Sequence, residues 1–541
     1  MVQSAILPAM KARDSQSWTL IEAAHLLNRA AFGGPPEQIR AIHALGPQAA
    51  VAQLLAPGTA AASPDPLPPP AWANAESYRE QMRAFLEQRR EMGMEPMRPG
   101  RKNTTPDNLT PEESRKRAEA RQKIQKEIRQ LALAQGIELT RWWFKRMVDG
   151  PQPAREKMTL FWHGHFASSM EKVRNAYFMF LQNDLFRRHA FGDFAALTKA
   201  VTRDPAMMVY LDVQDSKRQM PNENFARELM ELFTLGEGHY SEDDIKASAR
   251  AFTGLRLGKF SGDVSFAKFQ HDDGPKTFLG RTGNLGPDEI VDTIMAQQQC
   301  ATFIARKLWR YYVSDAPTDA EVAELAATLR AEKYQIGSTL RRLFLSEAFY
   351  HKNNIRAEIK SPVVYLATLA RQLGLKDLPA MVLMGGMREM GQQLFLPPNV
   401  AGWPGGSAWI NTNTLFARYN IAGVITRSGD PDYAISGMQG AQRLKAKTKG
   451  ANPNAGKFLQ ERVRRDWPKP DYASIAPTAM RADPAQLVDH LVFRFFQSSL
   501  RKEDRENFLG FVRKESADAI TDTEVGQLVH LMLSTPYYQL T

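Results

Sequence analysis

Glu228 is the residue of this chain most suited to chemistry, because it places a carboxylate beside an apolar helix face. It lies in the run PNENFARELMELFTLG, which predicts a short helix capped by Asn222 and ended by Gly236 with a positive φ. At roughly 100° per residue, Glu228 borders the apolar stripe of this helix. The stripe consists of Phe225, Leu229, Leu232 and Phe233. A carboxylate held there needs a partner, so the helix is either a buried ion-pair clamp or part of a site.

Three further residues of this helix complete the candidate catalytic group: Asn224, Arg227 and Glu231. Glu223, Arg227 and Glu231 follow one another at intervals of four, which is also typical of a row of surface ion pairs. Glu228 differs because of its place beside the core. Next to a histidine-bearing element it would be a metal ligand or an acid with a raised pKa.

Two short motifs carry the candidate metal ligands. In FWHGHF, His163 and His165 would point about 160° apart on a continuous helix, so they converge only if Gly164 ends that helix. In HDDG, His271 and Asp272 precede a glycine turn. These four side chains predict a site for a divalent metal. The alternatives are histidines packed among aromatic rings and an Asx turn that only shapes its loop.

The stretch PPNVAGWPGGSAWINTNTL predicts a long ordered loop with the composition of a binding surface. Trp403 and Trp409 would stack on sugar or other ring faces, and Asn399 would donate hydrogen bonds. The alternative is a lid that the tryptophans anchor to the core. The chain contains no HExxH, no GxSxG and no dinucleotide-binding GxGxxG after a strand.

The elements that must position these residues are helices, because apolar periodicity near 3.6 dominates and clear alternating strands are almost absent. We expect an all-α fold with a large multi-helix single core and a few short strands at most. A charged helical hairpin would be inserted into it, and a C-terminal helical set would pack on it. The predicted segments are N-terminal helices (1–60), a Pro-rich linker with the insertion (61–135), the core with the candidate site (136–425), a basic linker (426–470) and the C-terminal helices (471–541).

Composition limits the class of protein. The 541 residues include 70 Lys and Arg against 59 Asp and Glu, and part of this excess falls in the basic linker. A solvated linker explains that charge better than a nucleic-acid-binding arm does. Cys300 is the only cysteine, which excludes an internal disulfide and a cysteine metal cluster. No export signal and no apolar run long enough for a membrane span is visible, so we expect a cytoplasmic protein.

The succession of motifs resembles the bacterial family called domain of unknown function 1800. The matching runs are LLNRAAFG, FWHGHF, HAFGDF, DPAMMVYLD, PNENFARELMELFTLGEG, HDDGPKTFLG, KLWRYYV and PPNVAGWPGG. They cover about Ser17 to Tyr419 in the order of the family. The resemblance implies a helical bacterial protein without an established reaction. It also implies a sulfatase-like partner and, since many members carry an export signal, a periplasmic or exported location.

Two functions fit these residues. The first is a hydrolase acting on a polar or glycan-like substrate, with a divalent metal that activates water or with paired carboxylates. The alternative is a non-catalytic binding or assembly protein whose polar motifs are buried structural networks. Nucleic-acid binding rests on net charge alone and is the weakest hypothesis.

Overall fold

The computed structural model describes residues 18–56, 66–91, 110–258, 260–427, 468–515 and 520–541. Its architecture is largely all-α, which confirms the predicted fold class. The two hairpins of the described residues are short and antiparallel: β1 (Leu255–Leu257) pairs with β2 (Val264–Phe266), and β3 (Lys276–Phe278) with β4 (Arg281–Gly283). The tip of the predicted charged hairpin and most of the predicted basic linker lie outside the described residues.

The helices follow one another along the chain with short connections. The first half contains α1 (Leu20–Ala30), α2 (Pro36–Leu54), α3 (Ala75–Glu91), α4 (Pro111–Asp149), α5 (Pro153–His165), α6 (Met170–Val173), α7 (Ala176–Arg188), α8 (Phe194–Val201), α9 (Pro205–Tyr210), α10 (Glu223–Glu228) and α11 (Glu242–Ala251). The next part contains α12 (Pro287–Ala296), α13 (Gln298–Tyr312), α14 (Asp319–Ala331), α15 (Ile336–Phe344), α16 (Pro362–Gln372), α17 (Ala380–Met390) and α18 (Thr412–Thr426). The C-terminal set contains α19 (Tyr472–Ile475), α20 (Thr478–Arg481), α21 (Pro484–Phe495), α22 (Lys502–Glu515), α23 (Asp522–Leu533) and α24 (Pro536–Gln539).

The charged insertion and the core share one helix. α4 runs without interruption for 39 residues, so the boundary expected between residues 135 and 136 falls inside it. Its C-terminal part is apolar on one side, and Trp143, Phe144 and Met147 are fully buried there. The long helix therefore ties the exposed charged segment rigidly to the interior.

The buried apolar side chains form two clusters, and α5 contributes to both. The first cluster includes Trp162 of α5 together with residues of α1, α2, α7, α8 and α10–α15. The second includes Leu160 of α5 together with residues of α4, α16–α18 and the C-terminal helices. Because its neighbours lie in both clusters, α5 is among the most enclosed elements of the fold. Within the described ranges, no helix is both long and apolar enough to cross a membrane.

The PNENFARELMELFTLG helix begins and ends where its sequence predicts. The side chain of Asn222 accepts a hydrogen bond from the Asn224 amide at 2.9 Å, and Gly236 follows the last turn with a φ of 86°. The helix is not α-helical throughout, however, because the segment Leu229–Thr234 is a π-helix. There the Leu235 amide donates to the carbonyl five residues earlier, at Met230, over 2.8 Å. This wider turn shifts the later residues relative to the predicted stripe, so Met230 is buried while Leu232 is only partly covered.

Two acidic residues flank α9, one before its start and one beyond its end. Asp204 caps α9, accepting a hydrogen bond from the Met207 amide at 2.7 Å. Asp212, just beyond the end of α9, forms an ion pair of 2.8 Å with Lys172. That ion pair supplies the cation that a carboxylate near a helix C-terminus requires.

Candidate functional site

The two histidines of FWHGHF could converge only if their helix ended at Gly164, and it does not end there. α5 continues through His165, and Phe166 is the first residue beyond it. His163 and His165 therefore point to different sides of a continuous helix. The PPNVAGWPGG loop approaches the helix here because Gly402 lacks a Cβ atom, which would overlap the Gly164 carbonyl oxygen.

His163 is a buried structural histidine. Its Nε2 accepts a hydrogen bond from the Phe395 amide at 3.0 Å. Its ring meets Trp143 edge-on, with centroids 5.1 Å apart, and lies 5.5 Å from the Trp403 ring. Burial lowers the pKa of His163 to about 3, so the ring is neutral at pH 7.

His165 is buried on the opposite side, where the PNENFARELMELFTLG helix ends. One ring nitrogen, Nε2, lies 3.0 Å from the Phe233 carbonyl oxygen, and the other, Nδ1, lies 3.2 Å from Lys307 Nζ. Lys307 also donates to the Leu232 carbonyl over 2.9 Å. Burial and then the charge of Lys307 hold the pKa of His165 well below its usual range. The C-terminal carbonyls of that helix thus orient a neutral imidazole and an ammonium group.

The HDDG motif forms a turn. Asp272 accepts a hydrogen bond from the Gly274 amide at 2.9 Å and forms an ion pair with Arg250 at 2.7 Å. That pairing with Arg250 lowers the pKa of Asp272 to about 2. His271 Nδ1 lies 2.9 Å from the Thr253 carbonyl oxygen. These contacts match the Asx-turn alternative.

The four predicted metal ligands are not brought together. Each histidine uses at least one ring nitrogen in a contact with the backbone, and Asp272 is engaged by an arginine. Within the part of the chain that the structure describes, no group of three or more His, Cys, Asp or Glu residues is placed to hold a metal ion. We therefore assign no metal-binding residues.

The predicted catalytic group lies on the edge of the fold. Glu228 is half-buried, and burial followed by the charge of Glu231 raises its pKa. Glu231 accepts a hydrogen bond of 2.7 Å from the Tyr240 hydroxyl. Arg227 pairs with Glu242 through two contacts of 2.9 and 3.1 Å, and Asn224 is exposed. None of these four residues lines the cavity that contains Trp403 and Trp409.

The predicted substrate-binding loop does line a cavity. Trp403 and Trp409 both face it, whereas Asn399 lies outside and stabilises the loop by accepting a hydrogen bond from the Ala401 amide at 3.0 Å. We call this space the Trp403 cavity. It has a volume of about 490 Å³. Its walls come from α1, α5, α13, residues 358–361 and the loop 401–409.

Seven Lys, Arg, Asp or Glu side chains line the Trp403 cavity. Five are basic, namely Arg29, Lys157, Lys307, Arg310 and Lys360. Two are acidic, namely Asp315 and Glu358. His165 also lines the cavity but is neutral. Basic side chains therefore outnumber acidic ones on the described wall, and an excess of basic groups favours anionic ligands.

Glu358 is the buried carboxyl group of this cavity. Only 7% of its surface is exposed, and its Oε1 accepts a hydrogen bond from the Asp315 amide at 2.6 Å. Burial raises the pKa of Glu358; Arg29 opposes this effect and Asp315 adds to it. The Asp315 side chain is exposed, and it lies so close to Gly406 that a Cβ atom there would overlap its carboxylate. The cavity thus combines a buried carboxyl group with a raised pKa and a more exposed one under the glycine-rich loop.

Comparison with known proteins gives one match. The family model described as "Protein of unknown function (DUF1800)" covers residues 25–540. The chain belongs to this family. No curated protein and no solved structure matches it. The family assignment confirms the resemblance seen in the sequence and leaves the reaction open.

Sequence reasoning missed Lys157, although the signal was present. On α5, Lys157 lies three residues after Ala154 and four before Phe161, which places it at the edge of the apolar line. This is the same argument that singled out Glu228. Glu358 and Asp315 had no comparable signal, because both lie in irregular segments without periodicity.

Glu156 fixes the orientation of α5 and therefore of Lys157. Its carboxylate is 1% exposed and accepts hydrogen bonds from Trp143, Arg146 and Arg187 at 2.8 to 2.9 Å. Burial alone would raise the pKa of Glu156, but the two arginines outweigh burial and lower it. This ionised cluster links α5 to α4 and α7 beside the cavity.

Proposed function

We propose that this DUF1800 protein is a hydrolase-like enzyme that binds a polar, glycan-like substrate in the Trp403 cavity. The observation that supports this proposal is the combination of two tryptophans on one wall with the buried carboxyl group of Glu358 on another. Binding sites of this kind join aromatic surface to a few convergent polar groups. The Trp403 and Trp409 rings would pack against apolar faces of sugar rings.

Glu358 is the candidate general acid. Its raised pKa favours the protonated form up to a higher pH than an exposed glutamate allows. A protonated carboxyl group donates its proton to the leaving oxygen as the bond to that oxygen breaks. Asp315, which is exposed and faces the same cavity, is the candidate base that removes a proton from the attacking water.

A divalent metal is not needed for this scheme. When bound, such a metal supplies Lewis-acid activation of water. The predicted ligands His163, His165, His271 and Asp272 have other partners, so the proposal assigns them no metal. Instead, His165 and Lys307 hold the cavity wall against the end of the PNENFARELMELFTLG helix.

A panel of chromogenic substrates tests the proposal: nitrophenyl glycosides, sulfates, phosphates and acetates, each with the wild-type protein and two variants. Glu358→Gln removes the proposed acid. Glu228→Gln is the matched control, because both carboxyl groups have raised pKa values but only Glu358 lines the cavity. We expect hydrolysis of at least one substrate and a loss of about 10²-fold or more in kcat for Glu358→Gln only, the size typical of a missing general acid.

Binding without turnover would favour the alternative. If the protein binds glycans from the panel but hydrolyses none of them, the non-catalytic binding or assembly function replaces the enzyme proposal. If hydrolysis persists in Glu358→Gln and disappears in Glu228→Gln, the reaction occurs at the helix edge and the Trp403 cavity is not the active site.

A further inference from the structure

Lys157 is a buried lysine whose Nζ has no hydrogen-bonding partner among the residues that the structure describes. It is 4% exposed and lines the Trp403 cavity. Its Nζ lies 5.2 Å from the centre of the Phe32 ring and 5.6 Å from that of Tyr311. Within the described residues, no carboxylate, carbonyl or hydroxyl oxygen accepts a hydrogen bond from this Nζ. These aromatic faces supply no oxygen or nitrogen atom that accepts a conventional hydrogen bond from Nζ.

Other buried lysines of this protein are satisfied by the backbone. Lys360 donates to the Tyr538 carbonyl over 2.7 Å. Lys276 donates to the carbonyls of Asp272 and Gly274 over 2.6 and 3.0 Å. Buried polar groups are nearly always paired, because an unpaired one gives up its contacts with water without replacing them. In the described part of the chain, the Nζ atom of Lys157 has no such backbone partner and faces the Trp403 cavity, where a ligand can supply oxygen atoms to it.

The charges around Lys157 identify the kind of ligand. Two effects hold the pKa of Lys157 well below the ordinary value: burial is the larger, and the positive charge of Arg29 from α1 is the second. Arg29 donates to the Tyr311 and Tyr312 carbonyls, which carry no net charge. Lys307, Arg310 and Lys360 line the same cavity, against Asp315 and Glu358. Basic side chains thus outnumber acidic ones around Lys157, which favours an anionic ligand over water.

We propose that the inner end of the Trp403 cavity is an oxyanion subsite, in which Lys157 binds a sulfate, phosphate or carboxylate group carried by the substrate. Arg29 and Lys307 supply additional positive charge, and the Trp403 loop holds the rest of the molecule. This inference rests on the proposed function, because it names the class of substrate: a polar molecule with an anionic substituent. Charge-assisted hydrogen bonds to such groups are among the strongest available to a lysine.

Titration calorimetry at constant ionic strength tests this subsite, with the full-length protein carrying Glu358→Gln so that no turnover occurs. The probes are inorganic sulfate, glucose 6-sulfate and glucose, with chloride as background. We expect glucose 6-sulfate to bind most tightly, since both parts of the cavity contribute. Lys157→Met should weaken it about tenfold or more, because one hydrogen bond to a charged group is worth roughly 1.5–3 kcal/mol.

Lys276→Met is the matched control, because Lys276 is also buried but is hydrogen-bonded and does not line the Trp403 cavity. It should leave the binding of glucose 6-sulfate unchanged. Unchanged binding in Lys157→Met, or no binding of either sulfate by the parent protein, would overturn the subsite. Equal affinity for inorganic sulfate and glucose 6-sulfate would assign it to a free ion and overturn the link to the substrate.

A second measurement does not depend on a variant that folds. Acetic anhydride modifies unprotonated amines, and peptide mapping by mass spectrometry reads each lysine separately. Glucose 6-sulfate should protect Lys157 and leave the exposed Lys116 unprotected; equal modification with and without the ligand would refute the subsite. Because both experiments measure binding, failed hydrolysis in the substrate panel is distinguishable from failed anion recognition.

Discussion

Replacing Glu156 with glutamine should destabilise the protein strongly. The carboxylate is 1% exposed and accepts one hydrogen bond from Trp143, one from Arg146 and two from Arg187. Glutamine has nearly the same shape but no charge, and it replaces one accepting oxygen with a donating NH₂ group. Two buried arginines then lose their counter-charge. In addition, the new NH₂ group points at an N–H group of Trp143, Arg146 or Arg187, so that two donors face each other.

The expected cost can be worked from these contacts. A hydrogen bond to a charged group is worth about 1.5–3 kcal/mol, but the four bonds share one carboxylate and are not additive. Removing one partner of a buried ion pair costs about 3–5 kcal/mol, because the other charge remains buried and uncompensated. We therefore expect Glu156→Gln to lower the free energy of unfolding by about 3–5 kcal/mol.

Urea unfolding followed by tryptophan fluorescence measures this loss. The matched control is Glu242→Gln, which also removes a carboxylate with two contacts to one arginine, but at an exposed site. Exposed ion pairs contribute little, so the control should unfold close to the wild-type midpoint. A change of less than about 1 kcal/mol in Glu156→Gln would refute the argument, since that is the range of a surface pair.

Three further predictions follow from the same structure. Gly402→Ala should reduce glycan binding and stability, because Gly402 has a φ of 83° and its Cβ would overlap Gly164; Gly405→Ala, with no atom within 4 Å, should not. Burial raises the pKa of Asp204 to about 7, whereas its ordinary pKa, expected in the unfolded chain, is 3.8. The folded state therefore holds this proton more tightly, and its stability falls as the pH rises from 3.8 to about 7. Urea unfolding across pH should show that slope, and Asp204→Asn should abolish it. Dialysis against a chelator should leave the thermal midpoint unchanged, because His163, His165 and His271 are held by backbone contacts; a drop would contradict this assignment.

Local rules predicted much of the fold. Asn222, Asp204 and Gly236 act as the caps and stop that their residue types favour, because capping depends on neighbours within four residues. The helical class followed from periodicity for the same reason. The π-helical segment after Glu228 was not predictable in this way. Its carbonyls are bound by Lys307 and His165, which come from elsewhere in the chain.

The lining of the Trp403 cavity was predicted only in part. Trp403 and Trp409 were predicted to bind a ligand, and both line the cavity. His165 also lines it, although it was predicted as a metal ligand, while Glu228 and the HDDG turn lie elsewhere. The buried cluster of Glu156 joins residues 10 to 31 positions apart, and the cavity joins Arg29 to Thr541. Such pairings depend on tertiary packing, which a single sequence does not specify. Lys157 was the exception, since its position on the apolar face of α5 was readable.

The central claim, that the Trp403 cavity is the ligand site, is tested most directly by a crystal structure from crystals soaked in sodium selenate. Selenate mimics a sulfate substituent, and its anomalous scattering locates it without reference to the protein atoms. We expect the strongest peak in the cavity, about 3 Å from Lys157 Nζ, the distance of a charge-assisted hydrogen bond. Ordered selenate at other sites together with none in the Trp403 cavity would contradict the account.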